Sequence, residues 1–244
     1  MLRFEEDLGG ARFALTDRVG GASAEPYAEL NLAFHVGDAP RAVEENRKLA
    51  AARIGLPADR IVFMNQVHGG EVAVVDGVSP PGPPAVDGLV TGTAGVALAV
   101  LVADCVPVLL ADPRAGVVGV AHAGRRGLTA GVVPAVVGAM RQVGARTIIA
   151  RVGPAVCGRC YEVPEQMRAA VSSTQPAAWS RSKTGSAALD VAAGVIEQLL
   201  RHGVKVSRIE GCTVEDPSLY SYRRDPTTGR FAGLAWLSVA GQGR

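Results

Sequence analysis

A chain of 244 residues, nearly half of them apolar (48%), is long enough to bury a sizeable core within one domain. Its 25 basic and 23 acidic residues leave a formal charge of only +2, and aromatic residues make up 5%, so both the basic excess and the stacking surfaces of a nucleic-acid binder are missing. The opening residues, Met1 to Asp7, are acidic and lack the apolar stretch of a secretory signal; the expected location is therefore the cytoplasm, where cysteines at 105, 157, 160 and 212 stay reduced.

In chain order, the first clear helix is predicted from Ala39 to Ile54, with Asp38 as N-cap, Pro40 in the first turn and Gly55 closing it. Ile61 to Met64 and Val72 to Val75 read as strands around the polar break Asn65 to Gly70, which places His68 in a tight connection. A Pro-rich surface loop, Val78 to Pro84, follows. The run Gly95 to Ala111 is apolar enough to raise the question of a membrane span, but Asp104 and Pro107 lie inside it. It reads better as buried strands, Val96 to Ala103 and Val106 to Ala111, with Asp112 to Gly116 turning into a third, Val117 to Ala121, that stops at His122. Gly124 leads into a helix to about Arg141 that Pro134 is expected to kink. Ile148 to Val152 is a strand, the stretch after Pro164 a helix, and Ala187 to His202 an amphipathic helix stopped by Gly203. Late strands are predicted near Ile209 to Val214 and Phe231 to Val239, flanking the loop Ser221 to Asp225. This alternation gives a mixed α/β domain of the α+β type, with no clear oligomer interface stripe.

His68, Cys105 and His122 each follow a strand-like run. Strand ends on one rim of a sheet can converge, and imidazole nitrogen with thiolate sulfur suits zinc, three protein ligands leaving a fourth position open. Their separations are far too long for a finger-type motif, so only the fold can assemble them. Taken singly, each histidine reads more readily as a turn cap and the cysteine as a small buried apolar residue than as ligands.

The strings Asn65-Gln66-Val67-His68-Gly69, Asp87-Gly88-Leu89-Val90-Thr91, Ala103-Asp104-Cys105-Val106-Pro107 and Ala121-His122-Ala123-Gly124 resemble the successive signature blocks of the laccase-domain family. The likeness extends over most of the chain, from Asn31-Leu32-Ala33-Phe34-His35-Val36-Gly37-Asp38 through Gly153-Pro154 and Tyr161-Glu162-Val163 to Ser221-Tyr222-Arg223-Arg224-Asp225 and Thr228-Gly229-Arg230. The resemblance implies an αββα sandwich, a single domain over residues 1 to 244, and a zinc or copper ion on His68, Cys105 and His122. It departs from the family at Arg125, where tryptophan is usual, and in the cysteines of the block Ala155 to Cys160. True laccase chemistry is excluded on composition, because blue and trinuclear copper centres are built largely from histidines and this chain has only His35, His68, His122 and His202.

The activity that the resemblance implies is metal-dependent purine nucleoside phosphorolysis. Adenosine, inosine and methylthioadenosine would be split by phosphate into free base and a ribose 1-phosphate, with adenosine deamination as a second activity. Arginine is the natural phosphate clamp, so Arg126, Arg223, Arg224 and Arg230 are candidates, Arg126 first because it lies four residues from His122. Asp104 and Glu162 are candidate proton carriers, although strand alternation points Asp104 away from Cys105 as readily as toward the site. Asn65 and Gln66 are candidate readers of base or sugar, or stabilisers of their turn. Two other readings compete. Cys105 with His68 or His122 would make a cysteine hydrolase, or Cys157, Cys160, Cys212 and perhaps His202 would hold a structural zinc in a non-enzymatic module.

Overall fold

A strand buried along its whole length needs cover on both faces. Four segments, Ala97–Val102, Val106–Asp112, Val117–Ala123 and Phe231–Leu237, are buried from end to end. The computed structural model, which describes residues 1–76 and 82–239, supplies that cover by stacking two sheets and laying helices outside them.

The elements run β1 (Leu2–Asp7), β2 (Ala11–Thr16), α1 (Pro40–Arg53), β3 (Ile61–Val62), β4 (Val72–Val74), β5 (Gly88–Thr91), β6 (Ala97–Val102), β7 (Val106–Asp112), β8 (Val117–Ala123), α2 (Arg125–Ala130), α3 (Val132–Gln142), β9 (Ile149–Val152), α4 (Glu165–Ser172), β10 (Trp179–Arg181), β11 (Ala187–Leu189), α5 (Val191–Arg201), β12 (Lys205–Arg208) and β13 (Phe231–Leu237). One sheet has the order β1-β2-β13-β6-β3, the other β12-β9-β7-β8-β5-β4, and β10 pairs with β11 in a small ribbon. Three pairs are parallel, β3 with β6, β4 with β5 and β9 with β12, so both large sheets are mixed.

Side chains such as Phe13, Leu98, Leu109, Val120 and Phe231 fill the space between the sheets. Ala50, Ala51 and Ile54 of the α1 region cover the outer face of the first sheet, against Leu234 and Trp236. Val133, Val136 and Val137 of α3, with Val195 and Leu199 of α5, cover the outer face of the second. The result is the αββα sandwich, and among the described residues no helix is long and apolar enough to cross a membrane.

Several sequence expectations shift. Asp38 does not cap α1; the cap position is Ala39, and the Asp38 carboxylate instead accepts hydrogen bonds from Ser23 and Asn31. The helix after Gly124 breaks at Gly131, whose φ of 79° is left-handed, and not at Pro134, which falls in the first turn of α3, where a proline costs no hydrogen bond. The helix expected from Ala187 starts at Val191, because β11 pairs with β10 first and the Asp190 carboxylate then caps by accepting from the Ala193 amide at 2.9 Å. The strand expected at Ile209 to Val214 lies earlier, at Lys205–Arg208; the later segment keeps only a bridge from Cys212 to Ala155. Residues 78–81 of the Pro-rich loop lie outside the described residues.

Asp112 fixes the end of β7. One carboxylate oxygen accepts from the Ala115 amide at 3.1 Å, and the other from the amides of Arg146 and Thr147 at 2.6 and 2.8 Å. Burial pushes its pKa up, but these amides hold it below the ordinary carboxylate value. A depressed folded-state pKa means stability present above the unfolded value and lost as pH falls through the folded one. Asp112→Asn should therefore lower unfolding free energy by about 2 kcal/mol at neutral pH through lost charge-assisted hydrogen bonds. Denaturant melts should show that deficit shrinking as the pH is taken down through the acid range.

Candidate metal centre

The two large sheets are joined by chain crossings. β3 belongs to one sheet and β4 to the other, so the segment containing His68 passes between them; β6 and β7 likewise lie in different sheets, with Ala103 to Cys105 as the crossing. Both crossings need a backbone reversal. His68 (φ 61°) and Asp104 (φ 96°) are the only non-glycine residues with positive φ among the described residues. Strain of this kind gathers at functional sites, where surrounding bonds hold it in place.

Those bonds are visible. At the β6–β7 crossing, one Asp104 oxygen accepts from the hydroxyls of Thr213 and Ser221, both at 2.6 Å, and the other from the Arg223 amide at 2.6 Å. The reversal thus sends the Asp104 carboxylate toward the 213–223 loops and leaves Cys105 beside the histidines. At the other crossing, the buried carboxylate of Asp87 accepts from the amides of Val67, His68 and Gly69 at 3.2, 3.0 and 2.6 Å. It also lies 2.8 Å from Nδ1 of His122, while the His122 amide donates to the Asp87 carbonyl at 2.8 Å. Strand β8 runs through His122 rather than ending before it, opposite Pro107 of β7.

His68, Cys105 and His122 each offer one ligand atom, and these lie within 4.8 Å of one another. The two imidazole rings meet edge to face with centroids 4.8 Å apart. With Nδ1 of His122 donating to Asp87, its other nitrogen is free to ligate, the usual carboxylate-imidazole-metal relay. Gly124 completes the cradle: a Cβ there would stand 2.8 Å from the Cys105 sulfur and 3.1 Å from Nδ1 of His68. Burial favours the neutral Cys105 thiol, yet the charge and hydrogen bond of His122, with His68 behind them, draw its pKa down to about 6. Burial likewise disfavours a charged His122, but the Cys105 charge and the Asp87 hydrogen bond raise it to about 9. The sulfur is thus disposed to be a thiolate, the form that binds metal. The residues fit a zinc-class ion: two borderline nitrogens, one soft sulfur and a carboxylate fixing one ring.

The cluster opens into a cavity of about 450 Å³, in the size range of small-molecule sites. Its walls include His35, Gln66, Arg125, Tyr161, Tyr222, Arg223 and Arg230. Arg223 lies over the Tyr161 ring at 4.9 Å, and Arg230 over Tyr222 at 5.9 Å. Other candidates stand apart. Arg126 is exposed and off the lining, which its neighbour Arg125 joins instead. Arg224 spends its guanidinium on Asp225 and on the carbonyls of Thr213, Asp216 and Leu219. Glu162 is on the surface and accepts from Thr184 at 2.7 Å. Asn65 is exposed; Gln66 does line the cavity, but both ends of its amide are bonded to the Leu101 backbone, at 2.7 and 2.8 Å. Sequence reasoning missed His35 and the two tyrosines as wall residues and Asp87 as the organiser, although all four sit in the quoted blocks.

Two mixed sheets between helices, with two imidazoles and a cysteine sulfur gathered where the chain crosses between the sheets, define an α/β protein with a cluster that could hold a metal ion. The chain belongs to the multi-copper polyphenol oxidoreductase laccase family, whose model matches residues 12–238. It is 57% identical to purine nucleoside phosphorylase SCO2081 of Streptomyces coelicolor, over 97% of this chain and 100% of that protein. It is 58% identical to purine nucleoside phosphorylase ORF3 of Streptomyces griseus, over 94% and 95% of the two chains. Among solved structures, Neisseria meningitidis protein NMB0706 superposes with a TM-score of 0.86 at 35% identity, covering 97% of this chain and 99% of its own.

Asp87→Asn should weaken metal binding by about 10- to 100-fold, the usual cost of losing a partner behind a ligand. Competition against a chromophoric chelator measures this; an unchanged affinity would remove Asp87 from the centre.

Proposed function

We propose that this chain is a metal-dependent purine nucleoside phosphorylase, acting on adenosine, inosine and methylthioadenosine, with adenosine deamination as a second activity of the same pocket. One observation carries the reading: the cluster of His68, Cys105 and His122 opens into a cavity whose walls combine cationic and aromatic side chains. The names of the Streptomyces relatives support it. We take the whole chain as one catalytic domain working in the cytoplasm.

A zinc ion, or copper in its place, held by those three residues would supply a Lewis acid with one position left open. The remaining work belongs to the chain. Phosphorolysis needs an oxyanion held against the anomeric carbon of the sugar, and Arg223 and Arg230, with Arg125 at the position where the family usually has tryptophan, present guanidinium groups for it. Tyr161 and Tyr222 give flat surfaces for a purine, and each already carries an arginine close to its ring. Burial first, then the charges of Arg230, Arg47 and His122, hold the His35 pKa below the ordinary histidine value. The lowered pKa favours the uncharged imidazole, a form that can accept a proton or a hydrogen bond in the pocket. Asp104 acts at one remove, by fixing the loop that carries Arg223.

Laccase chemistry finds little support in these residues, since the four histidines of the chain give two to the cluster, one to the cavity wall and one, His202, to the end of α5. The cysteine hydrolase reading is not favoured either. It leaves one of the two imidazoles on Cys105 without a task, and the named relatives are phosphorylases.

Pure protein incubated with adenosine and phosphate should yield adenine and ribose 1-phosphate, and His68→Ala should abolish both metal binding and this release. Base release that ignores phosphate, or full activity in a metal-stripped variant, would overturn the mechanism. Arg223→Ala should raise the KM for phosphate about tenfold or more while metal content stays constant, as expected for one lost charge-assisted contact.

A further inference from the structure

A second set of donor atoms lies apart from the three ligands of the first centre. Cys157, Cys160, Cys212 and Glu215 each offer one ligand atom, and these too lie within 4.8 Å of one another. They come from two turns of the same spacing. The amides of Cys160 and Tyr161 both donate to the Cys157 carbonyl, at 2.9 and 3.0 Å, and the amides of Glu215 and Asp216 both donate to the Cys212 carbonyl, at 3.1 and 2.9 Å. A Cys-x2-Cys turn therefore faces a Cys-x2-Glu turn. They are registered by the parallel bridge between Ala155 and Cys212, and the Thr213 amide donates to the Ala155 carbonyl at 3.1 Å. The Cys157 amide also points at the Cys212 sulfur, 3.4 Å away, the kind of donor that commonly supports a metal ligand.

We propose that these four residues form a second metal site, closed and structural, for a zinc-class divalent ion. Three sulfur donors select soft or borderline ions and reject calcium and magnesium, which take oxygen shells. Four protein ligands leave no open position, the mark of a structural rather than a catalytic centre. Three thiolates and a carboxylate exceed the charge of one divalent ion by two. Lys183, ion-paired with Glu215, and Arg159, within the first turn, are the cations at hand to offset it. The fourth ligand is Glu215 and not His202, which stands at the end of α5 outside the cluster.

The ion would act by holding a wall in place. Val156 and Tyr161, flanking the first turn's cysteines, line the large cavity. Val156 donates its amide to the Asp104 carbonyl at 3.0 Å, and Thr213, next to Cys212, donates its hydroxyl to the Asp104 carboxylate at 2.6 Å. The second site thus braces the crossing from which Cys105 projects without touching a ligand bound in the cavity. This inference does not depend on the activity proposed above.

Elemental analysis of the full-length chain, purified under reducing conditions, should find two zinc ions per chain. Cys157→Ser with Cys160→Ser should leave one, and His122→Ala should leave the other. Cobalt substitution supplies a readout that needs no activity. Of the four cysteine sulfurs, three belong to this site, so Cys105→Ser should keep most of the near-ultraviolet thiolate-to-cobalt absorption and the double serine variant should lose most of it. Glu215→Gln should keep the three-sulfur spectrum with weakened affinity. Should the double variant not fold, the cobalt spectrum of Cys105→Ser decides alone. One ion per chain, an absent thiolate band in Cys105→Ser, or a Cys157 to Cys160 disulfide found by mass under the same conditions would each overturn the site.

Discussion

The carboxylate of Asp87 is where the organisation of the centre begins. It is buried, it precedes β5, and it gathers the amides of Val67, His68 and Gly69 together with the ring of His122. A buried charge is costly unless hydrogen bonds replace its water, and here four donors do so. Each donor belongs to something the metal centre needs: three shape the turn that presents His68, and the fourth fixes the orientation of His122. Removing the charge would leave a strained histidine turn with nothing to hold its left-handed backbone, and a ring free to rotate.

The β6–β7 crossing is secured in the same manner. Asp104 has a φ that few side chains tolerate, and its carboxylate is satisfied by two hydroxyls and an amide from loops more than a hundred residues later in the chain. The two acidic residues are therefore counterparts, one behind each reversal. Between them they turn two connections between sheets into the positions of His68 and Cys105, while β8 supplies His122 from a regular strand.

Much of the framework was legible from local pattern. The β6, β7 and β8 runs are strongly apolar, rich in valine and short, with turn residues between them; burial on both faces removes the polar alternation, so length, β-branched content and flanking turns identify them. Boundaries were lost where tertiary pairing overrode propensity: Ala187 to Leu189 has a helical composition, yet it pairs with β10 before α5 begins. The three candidate ligands were named through the family blocks, because separations of this length say nothing on their own. The arginines were harder. Arg126 is near His122 in sequence, but the start of α2 turns Arg125 to the cavity and Arg126 to solvent, a difference of one helical position that no spacing rule resolves. The Asp87 network was invisible because three of its four donors are backbone amides, which every sequence contains, and the Asp104 network because its donors lie more than a hundred residues away.

The passage of both crossings between the sheets has a mechanical consequence. His68 and Cys105 are carried on segments whose ends belong to different layers, so any sliding of one layer over the other would move the ligands relative to His122. A bound ion would act as a rivet through the sandwich, resisting shear between halves otherwise held by non-directional apolar contact. In such a molecule the settling of the layers and the loading of the ion become one cooperative event, and the rigidity of the pocket is set by how firmly the rivet is seated.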